Sequence, residues 1–164
     1  MLYTIENDFL KVDINDEGAQ MMSLVGKKTG FEYLWQGDGT YWTGRAYNLF
    51  PICGRLTEGK YTWGGKTYEM NLHGFARKSQ YTMVGQTENS LTFRLETSEK
   101  SLAIYPFDFC LDLTYTLEGK TLRTEFHVTN RGDEVMPFAV GGHPGFNLPL
   151  GGEGCFEDWR LEFG

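Results

Sequence analysis

A chain of 164 residues has the length of one domain, at about 100 to 200 residues each, and is long enough to bury roughly 70% of its unfolded surface. Its 40% apolar and 15% aromatic content, with 21 glycines, is that of a folded, turn-rich domain and excludes a disordered or fibrous chain. Fifteen Lys and Arg against 22 Asp and Glu leave a formal charge of −7, which excludes nucleic acid and anionic membrane surfaces as partners, because both require clustered cations.

Along the chain, Phe9–Ile14 (FLKVDI) reads as the first strand. The stretch Lys60–Met70 (KYTWGGKTYEM) sets Gly64-Gly65 between two β-rich arms and predicts a tight hairpin. Leu91–Glu96 (LTFRLE) alternates apolar and polar residues, as a half-buried strand does. The longest signal follows. Leu111, Leu113, Tyr115 and Leu117 alternate with Asp112, Thr114, Thr116 and Glu118; Gly119 turns the chain, and Leu122, Thr124, Phe126 and Val128 resume the period. No window carries apolar residues at i, i+3, i+4 and i+7, and glycines, which cost about 1 kcal/mol each inside a helix, interrupt most long segments, so no helix is expected. At the end Trp159, Leu161 and Phe163 alternate with Arg160 and Glu162 and predict a further strand. A chain ending on such a pattern reads as the N-terminal part of something longer. The class is all-β, antiparallel sheets stacked in one domain over residues 1–164, with no linker or internal repeat.

Three cysteines, Cys53, Cys110 and Cys155, lack CxxC spacing and cannot all pair. They read as reduced and structural, with Cys53 buried behind the apolar run Leu49–Ile52. The chain opens on no charged-then-apolar leader and carries no apolar run near the ~18 residues that span a bilayer, so the expectation is a cytoplasmic protein without membrane contact.

Several motifs fail. GKKTG (Gly26–Gly30) has Met21 where a phosphate loop needs its first glycine, and GGEGCF (Gly151–Phe156) opens no amphipathic helix, so both read as turns or loops. Of the three histidines, His127 falls on the polar side of its strand and is expected in solvent. His73, in NLHGFAR, and His143, in GGHPGFNL, have no strand alternation around them and sit among glycines, where a shaped loop lets backbone approach a ligand. Each is either a site residue or a histidine satisfying loop carbonyls. No ligand spacing supports a metal, and no Gly-x-Ser-x-Gly elbow supports a nucleophile, so noncovalent acid–base chemistry fits better. Arg55, in FPICGRL, reads either as a guanidinium fork aimed into a cleft or as a surface ion pair with Glu58. Lys78 beside Arg77 points that arginine toward solvent.

Taken in order, FPICGRL, NLHGFAR and GGHPGFNL resemble the aldose 1-epimerase (galactose mutarotase-like) family, in particular its bacterial LacX-like branch, from the opening strands to at least Leu148. The resemblance implies an antiparallel β supersandwich, incomplete at this length, and an isomerase that interconverts α and β anomers of an aldose without metal or cofactor. It implies His143 as general acid, His73 as a substrate-binding histidine beside the ring oxygen, and Arg55 as a ligand of sugar hydroxyls. Arg77 would join Arg55 around the phosphate if the substrate is a hexose 6-phosphate. Phe75 is either packing or a stacking surface, Asn147 has a supporting role at the sugar, and Phe146 is expected to pack. Family members are close to twice as long, and their general base, a glutamate, lies in the half with no counterpart here. A noncatalytic sugar-binding module and self-association through an incomplete sheet edge are the further readings.

Overall fold

The longest period-two stretch builds the centre of the molecule. In the computed structural model, which describes residues 1–163, β9 (Phe109–Glu118) and β10 (Thr121–Asn130) form an antiparallel hairpin closed over Gly119. Phe109, Leu111, Leu113, Tyr115 and Leu117 point one way and are buried. Asp112, Thr114 and Thr116 alternate to the other face and stay half-exposed. Two further strands, β7 (Thr82–Gln86) and β8 (Ser90–Glu96), complete a sheet of order β10-β9-β8-β7.

A second sheet lies across its apolar face. It is a meander of β1 (Leu2–Glu6), β2 (Leu10–Asn15) and β3 (Gln20–Gly26), and Leu10, Val12 and Ile14 of β2 enter the same buried cluster as Leu91, Phe93 and Leu113. Tyr3 meets Phe93 edge-on at 5.4 Å between ring centroids. Burying side chains of this size stabilises by about 1.5–3 kcal/mol each. The small hairpin of β5 (Lys60–Trp63) and β6 (Lys66–Glu69) turns on Gly64 and Gly65, at φ 55° and 75°. Both lie in the left-handed region that a two-residue hairpin turn of this hand requires.

One more pair carries the functional interest: β4 (Ala46–Leu49) and β11 (Gly141–Pro144), antiparallel, with Tyr47 opposite His143. Asn48 anchors it. Its buried amide donates to the carbonyls of Gly18 and Ala19 at 3.1 and 2.9 Å and to the Tyr115 hydroxyl at 3.0 Å. Tyr115 in turn donates to the Ala19 carbonyl at 2.8 Å.

Four expectations are corrected. One helical turn does exist, α1 (Glu99–Leu102), closed by a capping box in which Ser98 Oγ accepts from the Ser101 amide and Ser101 Oγ accepts from the Ser98 amide. Four residues cannot display a helical repeat, and the capping box holds the turn together with the bonds from the Leu102 and Ala103 amides to the Ser98 and Glu99 carbonyls, at 2.9 and 3.2 Å. The Trp159–Phe163 segment is not a strand: among the described residues it pairs with no neighbouring strand, its Trp159 amide only closing a turn onto the Phe156 carbonyl at 3.3 Å, and Leu161 and Phe163 are 65% and 87% exposed. Cys53 is exposed, because the chain turns outward after Ile52 and leaves the core. Phe146 is 46% exposed and lines an open apolar trough of about 760 Å³ with Leu10, Met21, Leu24 and Leu122. His127 is exposed, as its strand position predicts. Among the described residues no helix is long and apolar enough to cross a membrane.

Candidate functional site

The loop that follows β6 is pinned by its backbone. Gly74 N–H closes a turn onto the Asn71 carbonyl at 2.9 Å, His73 N–H donates to the Gly54 carbonyl at 2.9 Å, and the amides of Phe75 and Ala76 both reach the Phe50 carbonyl, at 3.0 and 3.2 Å. Glycine at 74 has two causes. Its φ is +70°, and a Cβ there would lie 2.2 Å from the Phe50 carbonyl oxygen. No real side-chain atom tolerates that approach. His73, at φ +65°, is held in the left-handed region although it is not glycine, a placement that persists only where surrounding bonds over-determine it.

The His73 ring is oriented as well. Its Nδ1 lies 3.1 Å from the Cys53 carbonyl oxygen. A carbonyl can only accept, so Nδ1 carries the hydrogen and Nε2 of the neutral ring keeps the lone pair. The neighbouring Cys53 thiol is pushed up from its ordinary pKa by desolvation. Although the residue is exposed overall, its sulfur crowds Gly141, lying 3.3 Å from where a Cβ would stand. A thiol that stays protonated is a poor nucleophile.

His143 comes from β11, not from a loop, and its register opposite Tyr47 puts both side chains on one face of the β4–β11 ribbon. There the two imidazoles meet. The rings of His73 and His143 lie 5.3 Å apart between centroids and 67° from parallel. Trp42 sits 5.2 Å from the His143 ring and 5.5 Å from Tyr47. Arg77 closes the group: its guanidinium lies over the Tyr47 ring at 5.2 Å, Nη2 donates to the Leu72 carbonyl at 3.3 Å, and Nε is buried without a partner. It is half-buried rather than extended into solvent.

The other expected site residues divide. Arg55 stands on an exposed turn whose Gly54 carbonyl is bonded to His73, and among the described residues it forms no ion pair with Glu58. Phe75 packs beneath the loop, against Phe50, Phe109 and Tyr105 at 6.0, 5.9 and 6.1 Å. Asn147 gives both donors of its amide to backbone, the carbonyls of Glu32 and Leu34 at 3.0 and 2.6 Å, and so fastens the end of the His143 motif to the chain before Trp35. Two residues that the sequence reading passed over, Trp42 and Tyr47, form the aromatic wall. Their signal was the cluster YWTGRAY at Tyr41–Tyr47, in which aromatics and an arginine interleave with glycine.

The cluster brings together ring nitrogens that can donate or accept hydrogen bonds, a guanidinium held over an aromatic ring, and an aromatic wall. Among the described residues no carboxylate forms an ion pair with either imidazole. Glu153, Glu157 and Asp158 lie on the tail, where Asp158 accepts from the Cys155 amide at 2.8 Å and closes its own short turn.

The chain resembles known proteins over most of its length. Protein LacX of Lactococcus lactis subsp. lactis is 40% identical over 169 residues, covering 99% of this chain and 56% of its own length. The crystal structure of a galactose mutarotase related enzyme from Lactobacillus acidophilus superposes with a TM-score of 0.94 at 44% identity, over 96% of this chain and 53% of that one. A galactose mutarotase-like protein from Lactobacillus casei gives 0.87 at 39% identity, over 90% and 50%. This chain thus spans about half the length of the relatives it matches. The sequence signature of aldose 1-epimerases matches residues 1–157, and the chain that carries the two facing imidazoles is a member of that family.

Proposed function

We propose that this chain supplies the proton-donating and sugar-holding side of a site that interconverts the α and β anomers of an aldose. The observation that carries the proposal is the meeting of His73 and His143 at 5.3 Å from motifs far apart in sequence. Anomer exchange needs the C1–O5 bond of the pyranose to break. The electron pair goes to O5, which takes a proton from His143, while the anomeric hydroxyl loses its proton and C1 becomes an aldehyde carbon. Rotation about C1–C2 and the reverse proton movements close the other anomer. His73, with Nδ1 committed to a carbonyl, offers Nε2 to a sugar oxygen in this reading, which assigns Arg55 and Arg77 to the sugar hydroxyls. The general base has no counterpart among these motifs. A cytoplasmic setting fits the three free thiols.

The test is the decay of optical rotation of freshly dissolved α-glucose and α-galactose, with and without the protein. General acid catalysis contributes about 10²- to 10⁴-fold in rate, so His143→Gln is expected to remove most of any acceleration. Hexose binding by NMR saturation transfer without acceleration would identify a sugar-holding module instead, and absence of both binding and acceleration would end the proposal. A second reading, a phosphorylated hexose, rests on the Arg77 guanidinium, which lies over the Tyr47 ring at 5.2 Å. It predicts that hexose 6-phosphate outcompetes the free sugar at low salt and loses that advantage as salt screens the charge.

A further inference from the structure

Glycines 44 and 145 flank the two halves of the site, and neither backbone requires them. Both have φ outside the left-handed region. What they supply is space. A Cβ on Gly44 would lie 2.5 Å from Trp42 Cζ2, and one on Gly145 would lie 2.8 Å from Trp42 Cζ3. The benzo ring of the indole is therefore clasped by two stretches of bare backbone at one end of the β4–β11 ribbon, one leading into β4 and one leaving β11. The clasp is itself bolted: Gly145 N–H donates to the Arg45 carbonyl at 2.7 Å, Trp35 N–H donates to the Gly145 carbonyl at 3.0 Å, and Trp35 Nε1 donates to the Trp42 carbonyl at 2.7 Å.

Trp42 is outside the hydrophobic core and only half-buried, so packing the interior does not explain this seat. Its contacts are with the site: the His143 ring at 5.2 Å and 46°, and the Tyr47 ring edge-on at 5.5 Å. His143 needs such a neighbour. It is exposed, and among the described residues neither of its ring nitrogens bonds to protein. The torsion that turns an imidazole plane has no sharp intrinsic preference, so aromatic contact is what sets it.

We infer that Trp42 is a positioning residue: seated between Gly44 and Gly145, its indole fixes the plane in which His143 faces His73. The structural half of this inference stands by itself, and its catalytic consequence rests on the function proposed above. Misplacing a reacting group by about 1 Å costs on the order of 10²-fold in rate.

Three histidines in the whole chain make the test direct. With histidine labelled selectively, the ring protons of His143 are expected to be displaced by the Trp42 ring current and to show cross-relaxation with the indole, while those of His127, exposed on the polar face of β10, serve as a control. Trp42→Phe should keep most of the displacement, and Trp42→Leu should abolish it. Gly145→Ala should move it without removing the tryptophan. In the rotation assay Trp42→Leu should lower kcat about 10²-fold with KM nearly unchanged, and Trp42→Phe should restore most of the loss. Identical His143 resonances in the parent and Trp42→Leu would overturn the inference, as would a rise in KM at constant kcat, which is the mark of a sugar-stacking surface. Displaced resonances in a parent that turns over no sugar would uphold the positioning and sink the epimerase reading. Should Trp42→Leu lose the His127 control signal through unfolding, Gly145→Ala decides alone: an unmoved His143 signal there refutes the clasp.

Discussion

Replacing Asn48 with aspartate keeps the shape of a buried side chain and reverses its hydrogen-bonding sense. The Asn48 amide gives its protons to three acceptors, two carbonyls and a hydroxyl, at 2.9 to 3.1 Å. An ionised carboxylate has no proton to give and would face those oxygens as a like charge. It will instead hold a proton and donate once, so in acid the variant loses about one net hydrogen bond, roughly 1–2 kcal/mol. In the unfolded chain the same aspartate ionises near pH 3.9, whereas burial holds the folded one protonated to higher pH. Between those two pKa values the unfolded state has fewer protons, and stability falls by about 1.4 kcal/mol for each pH unit gained. Urea unfolding followed by tryptophan fluorescence, repeated from about pH 4 to pH 7, reads this slope. Asn48→Ala should cost about 1–3 kcal/mol with no added pH dependence. A flat pH profile for Asn48→Asp, matching the parent, would refute the assignment of Asn48 as an obligatory donor.

Other outcomes follow from the same geometry. Gly74→Ala forces a Cβ against the Phe50 carbonyl at 2.2 Å with φ at +70°; the left-handed strain alone is about 1–2 kcal/mol, so thermal unfolding should show at least that loss, and the His73 ring resonances should move. Asp112 accepts both donors of Arg94 at 2.7 Å, and this hydrogen-bonded pair holds its carboxyl below the usual range. Its stabilising effect is therefore complete above the unfolded carboxylate pKa and is lost as pH falls through the folded one; Asp112→Asn should lower stability at neutral pH, change it little in acid, and so flatten the acid limb of the stability curve. Leu113→Ala, at a position of zero exposure, should cost about 2–5 kcal/mol in urea unfolding.

What the sequence disclosed depended on how much local pattern each piece contained. Eight residues of alternation from Leu111 to Glu118, resumed from Leu122 to Val128, assign both faces of that hairpin, and the burial of Leu111, Leu113 and Tyr115 agrees. Gly64-Gly65 marked its turn for a reason of backbone sterics alone. By contrast β11 is four residues of Gly, Gly, His and Pro, too short and too featureless to show a period, and it becomes a strand only because β4 lies beside it. The tail at Trp159–Phe163 shows the reverse case: alternation is present, but a strand also needs a neighbour. Cys53 looked buried because an apolar run leads into it, whereas the turn at Gly54 that delivers a carbonyl to His73 carries it outward. The meeting of His73 and His143 was legible only through the ordered trio of motifs. Trp42 and Tyr47 stayed hidden because nothing in YWTGRAY says which rings will share a face; that is settled by the β4–β11 register and by bare backbone at Gly44 and Gly145.

The bond from His73 Nδ1 to the Cys53 carbonyl makes the two imidazoles unequal partners by construction. One has a nitrogen permanently spent on the scaffold, so it cannot ferry a proton from one side of its ring to the other. Its neighbour keeps both nitrogens open to whatever arrives from solution. Under the function proposed above, His73 would therefore meet a sugar through Nε2 alone, whereas His143 could use either nitrogen, and a swap of their duties would require the chain itself to let go first.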